Sequence, residues 1–191
     1  GATTIDSTGN ASLATTTSVG AVDVKAVGGV QAASLTSTGA GGGITVSSGN
    51  ANLTAVEAAG ALSVTAINGA IVIGTGKAGT TAGLKTDAPN GTDVTVSTSL
   101  NSGQASTITS RGNARLAAVT ATIGDVVVNA VNGEVTGVGV AAANLEATGG
   151  KVTVNGGTLA RLGIVKSGGD TGLTADSITV ATANVGGALS L

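Results

Sequence analysis

The chain has 191 residues, 41% of them hydrophobic and 9% charged, with a net charge of −2 and no Cys, His, Met, Trp, Tyr or Phe. That composition excludes Ser–His and Cys nucleophilic catalysis and leaves no Cys or His for a zinc site. The eight basic residues are scattered and no aromatic ring is available for base stacking, which argues against nucleic-acid binding.

Read in chain order, short units follow one another, each a Gly or polar residue leading into alternating aliphatic and small polar residues. They include Gly20–Val27 (GAVDVKAV), Gly43–Ser48 (GITVSS), Gly49–Val56 (GNANLTAV), Gly60–Ile67 (GALSVTAI) and Gly69–Ile73 (GAIVI). Further along come Thr92–Ser97 (TDVTVS), Gly112–Val119 (GNARLAAV), Gly124–Val131 (GDVVVNAV), Gly150–Asn155 (GKVTVN), Asp176–Thr182 (DSITVAT) and Gly187–Leu191 (GALSL). The longest departure is Gly74 to Gly91, which holds Lys77, Lys85, Asp87 and the only proline, Pro89.

Within a unit the aliphatic residues alternate, as in Val22/Val24, Leu62/Val64, Val94/Val96 and Ile178/Val180. A period of two marks a strand with one buried face. The glycines step by about ten residues and pairs of units repeat at about twenty, the signature of a stacked repeat. A hairpin meander is the alternative, and it expects Asn-Gly or Asp-Gly at every junction. Asn-Gly occurs only at Asn68-Gly69, Asn90-Gly91, Asn132-Gly133 and Asn155-Gly156. With no aromatic rings, the core must be a thin layer of Val, Ile, Leu and Ala, which suits closely stacked coils. The expected fold is all-β: a right-handed parallel β-helix of roughly nine to ten coils. It runs as one continuous domain over residues 1–191 with a longer loop near 74–91.

Two stretches carry a family resemblance: Gly60–Ile73 (GALSVTAINGAIVI) and Gly124–Val135 (GDVVVNAVNGEV). Their pattern resembles the haemagglutinin-type repeats of filamentous haemagglutinins and is similar to autotransporter passenger domains. The resemblance implies a right-handed β-helical shaft, export from a bacterial cell, and a role in adhesion, aggregation or display. The chain departs from that family in having no aromatic residue.

No catalytic, cofactor-binding or metal-ligating residue is expected. Of the acids, Asp23, Asp93 and Asp125 sit early in their units, where solvated or turn-flanking roles are expected. Sugar-active sites stack sugars on aromatic rings, and this chain has none. Gly168–Asp176 (GGDTGLTAD) resembles a calcium-binding repeat, but its acid stands third and the unit does not recur, so it is read as a turn. Thr107-Ile-Thr109 and Thr120-Ala-Thr122 are too few for an ice-binding row, and Thr is simply a good strand former.

Asn10–Thr15 and Gly187–Leu191 both carry the strand pattern. Either the chain continues as a longer protein or copies stack end to end. The expected function is a structural shaft or filament-forming subunit of a secreted or cell-surface bacterial adhesin or fibre. Its expected partner is itself, or further coils of a longer chain, with no nucleic acid and no membrane span. The alternative is a β-helix that binds carbohydrate, ice or a host surface through one face or the 74–91 loop, and a third reading is a polysaccharide-active enzyme. Clustering of Lys85, Asp87 and other acids in one groove would favour binding or catalysis, and scattering would favour a shaft.

Overall fold

Alternating aliphatic residues bury only one side of a strand, so each strand needs coils above and below it and an opposing face to pack against. The computed structural model, which describes residues 1–89, 92–139 and 141–191, meets that need with a parallel β-solenoid of about nine turns. Thr3, Val22, Ile44, Leu62, Ala82, Ser106, Val126, Val152, Thr171 and Leu189 stack as one ladder. The steps between these residues range from 18 residues, at Ile44 to Leu62, to 26, at Val126 to Val152. A meander would pair successive strands antiparallel, whereas the pairing here is parallel between successive coils.

Each coil has three faces, not the two Gly-led strands that the sequence suggests. Face one is built from Thr3–Ser7, the starts of Val22–Ser37 and Ile44–Ala58, then Leu62–Ala66, Ala82–Thr86, Ser106–Ser110, Val126–Ala130, Val152–Gly156, Thr171–Thr174 and Leu189–Ser190. Faces two and three follow each other around a shallow bend. In Ala11–Ser18, Val22–Ser37, Ile44–Ala58, Ile71–Ala78 and Val94–Ser102 the strand runs through that bend without interruption. The third face is the stretch [Leu/Val]-x-[Ser/Ala], as in Leu35–Ser37, Val56–Ala58, Leu100–Ser102, Val119–Ala121, Leu145–Ala147 and Val165–Ser167.

The core is a column of such residues, including Val24, Leu35, Leu53, Val64, Ile73, Leu100, Ile108, Leu116, Val128 and Val154, all buried. Burying a Val, Leu or Ile contributes roughly 1.5–3 kcal/mol, so the stack is held by many modest increments. Where an inward position lacks a side chain, a neighbour fills it: a Cβ at Gly76 would meet Leu100 Cδ1 at 2.7 Å. Corner hydroxyls close the turns. The Oγ atoms of Ser7, Ser48 and Ser110 donate to the carbonyls of Asn10, Asn50 and Asn113 at 3.1, 2.9 and 2.8 Å. At the opposite corner Ser18 and Ser37 donate to the carbonyls of Gly1 and Gly20 in the coil below, both at 2.7 Å.

The loop expected near 74–91 is mostly strand: Ile71–Ala78 and Ala82–Thr86 both continue the ladder. The longer connection is confined to residues 87–93, and its Asn90-Gly91 turn lies outside the described residues. A second long connection, between faces two and three, follows Val135–Thr136, where Gly137 N–H donates to the Ala141 carbonyl at 3.1 Å.

Candidate functional surfaces

Hydrolytic or lyase chemistry needs carboxylates that converge, and the ladder spreads these over several faces and corners. Asp6 and Asp23 lie on face one and Glu57 and Glu146 on face three, while Asp93 and Asp125 occupy different corners. Among the described residues no three acids come together to hold a metal ion. Lys85 and Asp87 pair with each other at 2.8 Å at the end of a face-one strand.

Several polar residues instead tie one coil to the next. A strand entering a face has an N–H that points up or down the rod, and a short side chain one coil away can accept it. Asn10 Oδ1 accepts from Gly29 N–H at 2.7 Å, Asp93 Oδ1 from Asn113 N–H at 2.7 Å, and Asn113 Oδ1 from Glu134 N–H at 3.0 Å. Asp93 also pairs with the Arg115 guanidinium. At the corner before face one, Asp125 Oδ1 accepts from Lys151 N–H at 2.8 Å and Asp170 Oδ1 from Ala188 N–H at 3.0 Å. At the bend before face three, Asn144 Oδ1 accepts from Ile164 N–H at 3.0 Å. The Ala188 N–H, and then the Lys151 ammonium at 3.2 Å, hold the Asp170 carboxyl below its ordinary value. The Gly168–Asp176 stretch is therefore a corner followed by the strand Thr171–Thr174, with Asp170 committed to the backbone. The thrice-repeated Gly-Asn-Ala, at Gly9, Gly49 and Gly112, marks the corner before face two, and at Asn10 and Asn113 its amide makes the tie.

The outer rows differ in chemistry. Face one carries short polar residues, Thr45 and Ser47 beside Ser63 and Thr65, with Thr107 and Thr109 further along. That row is broken by Asp23, Lys25, Gly83 and Lys85, and Thr120 belongs to face three. A shallow groove over coils one to three is lined by amides: Asn10, Gln31, Asn50 and Asn52. Face three holds the ordered charges. Its outer row reads Thr17, Thr36, Glu57, Lys77, Asn101, Thr120, Glu146, Lys166 and Asn184. Glu57 pairs with Lys77 at 2.7 Å and Glu146 with Lys166 at 3.8 Å.

The two ends present open coils. Ile5 and Leu13 in the first coil and Ile178 and Val180 in the last are only partly covered, and Leu189 and Leu191 are 47% and 74% exposed. No helix among the described residues is long and apolar enough to cross a membrane. No protein-family model, curated protein or solved structure matches the chain.

Proposed function

We propose that the chain is a shaft segment or filament-forming subunit of a secreted or cell-surface bacterial adhesin or fibre, non-enzymatic, and assembled by end-to-end stacking of coils. The observation that carries this reading is the unbroken parallel ladder from Thr3 to Leu189, which stacks coil on coil along one axis. The inward residues of the first coil, Ile5 and Leu13, and of the last, Ile178 and Val180, continue the interior ladders without a covering layer. Unpaired strand edges of this kind template further pairing. A head-to-tail contact between them is heterologous and does not close, so it propagates as a fibre. The use of Asp93, Asp125 and Asp170 as corner ties supports a structural role over a catalytic one. The likeness of Gly60–Ile73 and Gly124–Val135 to haemagglutinin-type repeats supports export and a right-handed winding, the sense that parallel crossovers take.

Negative-stain electron microscopy of the purified chain across a concentration series tests this. Unbranched fibres a few coil widths across are expected, lengthening with concentration. Monodisperse short rods at every concentration would remove the filament reading.

A further inference from the structure

The outer row of face three repeats. From the second coil it reads Thr36, Glu57, Lys77, Asn101, and from the sixth Thr120, Glu146, Lys166, Asn184, one residue per coil with no coil skipped. The local sequences repeat with it: Thr-[Ser/Ala]-Thr, Glu-Ala-[Ala/Thr]-Gly, Lys-[Ala/Ser]-Gly and Asn-x-Gly, in the same order. All four charged side chains are 40% or more exposed.

A Thr-Glu-Lys-Asn row repeated twice is self-complementary when reversed. Laid antiparallel on a second copy, Glu57 faces Lys166, Lys77 faces Glu146, and each Asn faces a Thr. Laid parallel in register, every Glu faces a Glu and every Lys a Lys. Like charges set against each other across an interface are strongly disfavoured. We infer that face three is a lateral self-association surface whose partner is a second, antiparallel copy of this chain, related by a two-fold axis that runs along the strands between Asn101 and Thr120. Such an interface is isologous and closes as a pair.

The rest of the face fits that arrangement. The row beside the charges is small, with Thr15, Ser34, Ala55 and Thr75 in successive coils, so two sheets can approach closely. Ile164, the exposed aliphatic residue of this row at 45% exposure, falls in the eighth coil. The two-fold axis brings it over Ala55 of the third. A sheet face about 43 Å long and roughly 12 Å wide gives about 500 Å² per copy, near the lower bound for a specific interface. The pair is therefore expected to be concentration- and salt-dependent. Lateral pairing is independent of end-to-end stacking, since it uses a face and not an edge.

The decisive variant is the double exchange Glu57→Lys with Lys77→Glu. It preserves net charge, composition and the ion pair within the chain, and leaves both ends untouched. In the antiparallel pair it sets Lys against Lys166 and Glu against Glu146. Sedimentation velocity of the full chain, from micromolar to near-millimolar concentration at low salt, is expected to show a dimer whose association weakens by about tenfold or more in this variant. Exchanging both pairs, with Glu146→Lys and Lys166→Glu added, is expected to restore it. A wild-type chain without lateral dimers, or a double exchange that associates as wild type does, overturns the inference. Fibres by microscopy with unchanged association in the double exchange would leave stacking intact and remove lateral pairing alone.

Discussion

Asn10 and Gly29 stand in successive coils, 19 residues apart, and the side-chain oxygen of the first accepts the backbone N–H of the second at 2.7 Å. One short amide thus joins two coils at a point where the regular ladder is interrupted. The same device recurs between Asp93 and Asn113, Asn113 and Glu134, and Asn144 and Ile164, so at these points side chains add to the backbone bonds that join one coil to the next.

Asn113 sits in the middle of one such run and serves as both donor and acceptor. Asn113→Ala leaves the Glu134 N–H without its partner and is expected to cost about 1–2 kcal/mol. Chemical denaturation of the variant against wild type measures it. Asn144→Ala is expected to cost a similar amount, because Ile164 N–H loses its acceptor in the same way.

Leu53 is fully buried in the central column. Leu53→Ala is expected to lose about 2–5 kcal/mol, the usual range for emptying a packed leucine site. Thr45→Ala, on the exposed side of face one, is expected to stay within about 0.5 kcal/mol of wild type. Paired urea titrations of the two variants check the contrast, and equal losses would mean that the inward and outward assignments are wrong.

Gly79 lies at the corner after face three, where a Cβ would land on the carbonyl oxygen of Ala59. Gly79→Ala therefore has to push two coils apart and is expected to destabilise by about 1–3 kcal/mol or more. Gly9 meets nothing within 4 Å and has no positive φ. Gly9→Ala is expected to be neutral or to stabilise by up to about 1 kcal/mol through the unfolded chain. Thermal unfolding of both variants separates close approach from backbone freedom as the reason for each glycine.

The Asp170 carboxyl is held below its ordinary value of 3.8, first by the Ala188 N–H and then by Lys151. A lowered value in the folded state contributes stability that is present above the ordinary value and lost as pH falls through the folded one. Asp170→Asn keeps an acceptor for Ala188 but carries no charge. Its stability is expected to fall less steeply than that of wild type below about pH 4. Denaturation midpoints across that range measure it, and identical slopes for both proteins would show that Asp170 does not contribute.

The strands of face one were legible in the sequence because Val22/Val24 and Leu62/Val64 alternate between clear Gly-led corners. Face three was not separated from face two. In the first three coils the bend between them falls at Ala14, Ala33 and Thr54, with no Gly or Pro to mark it, and the strand runs on through it. Gly74, Gly76, Gly79 and Gly83 gave the opposite error and suggested a loop. Three of them lie in strands: Gly74 sits at the bend against the Thr54 carbonyl, Leu100 fills the space over Gly76, and Gly83 takes an outward position. Glycine in this chain mostly marks close approach between coils; among the described residues only Gly41 and Gly139 have a positive φ. The corner amides were hinted at by Gly-Asn-Ala, but what each one bonds to lies a whole coil away. The charge row of face three was hidden because its members are separated by unequal stretches of chain.

That inequality has a further meaning. A coil of 18 residues and one of 26 advance the rod by the same single step, because the extra residues leave the sheet between the faces, at a corner or at the bend. Axial position is therefore counted in coils, as graduations on a ruler, and chain length between two marks is free to vary. Excising residues 62–81 would remove one graduation. It would shorten the rod by about 4.8 Å and leave the fold type unchanged. A corner insertion would shift no mark at all. Surface patterns on such a rod can thus be moved by whole steps or decorated at the corners, and these two kinds of change act independently.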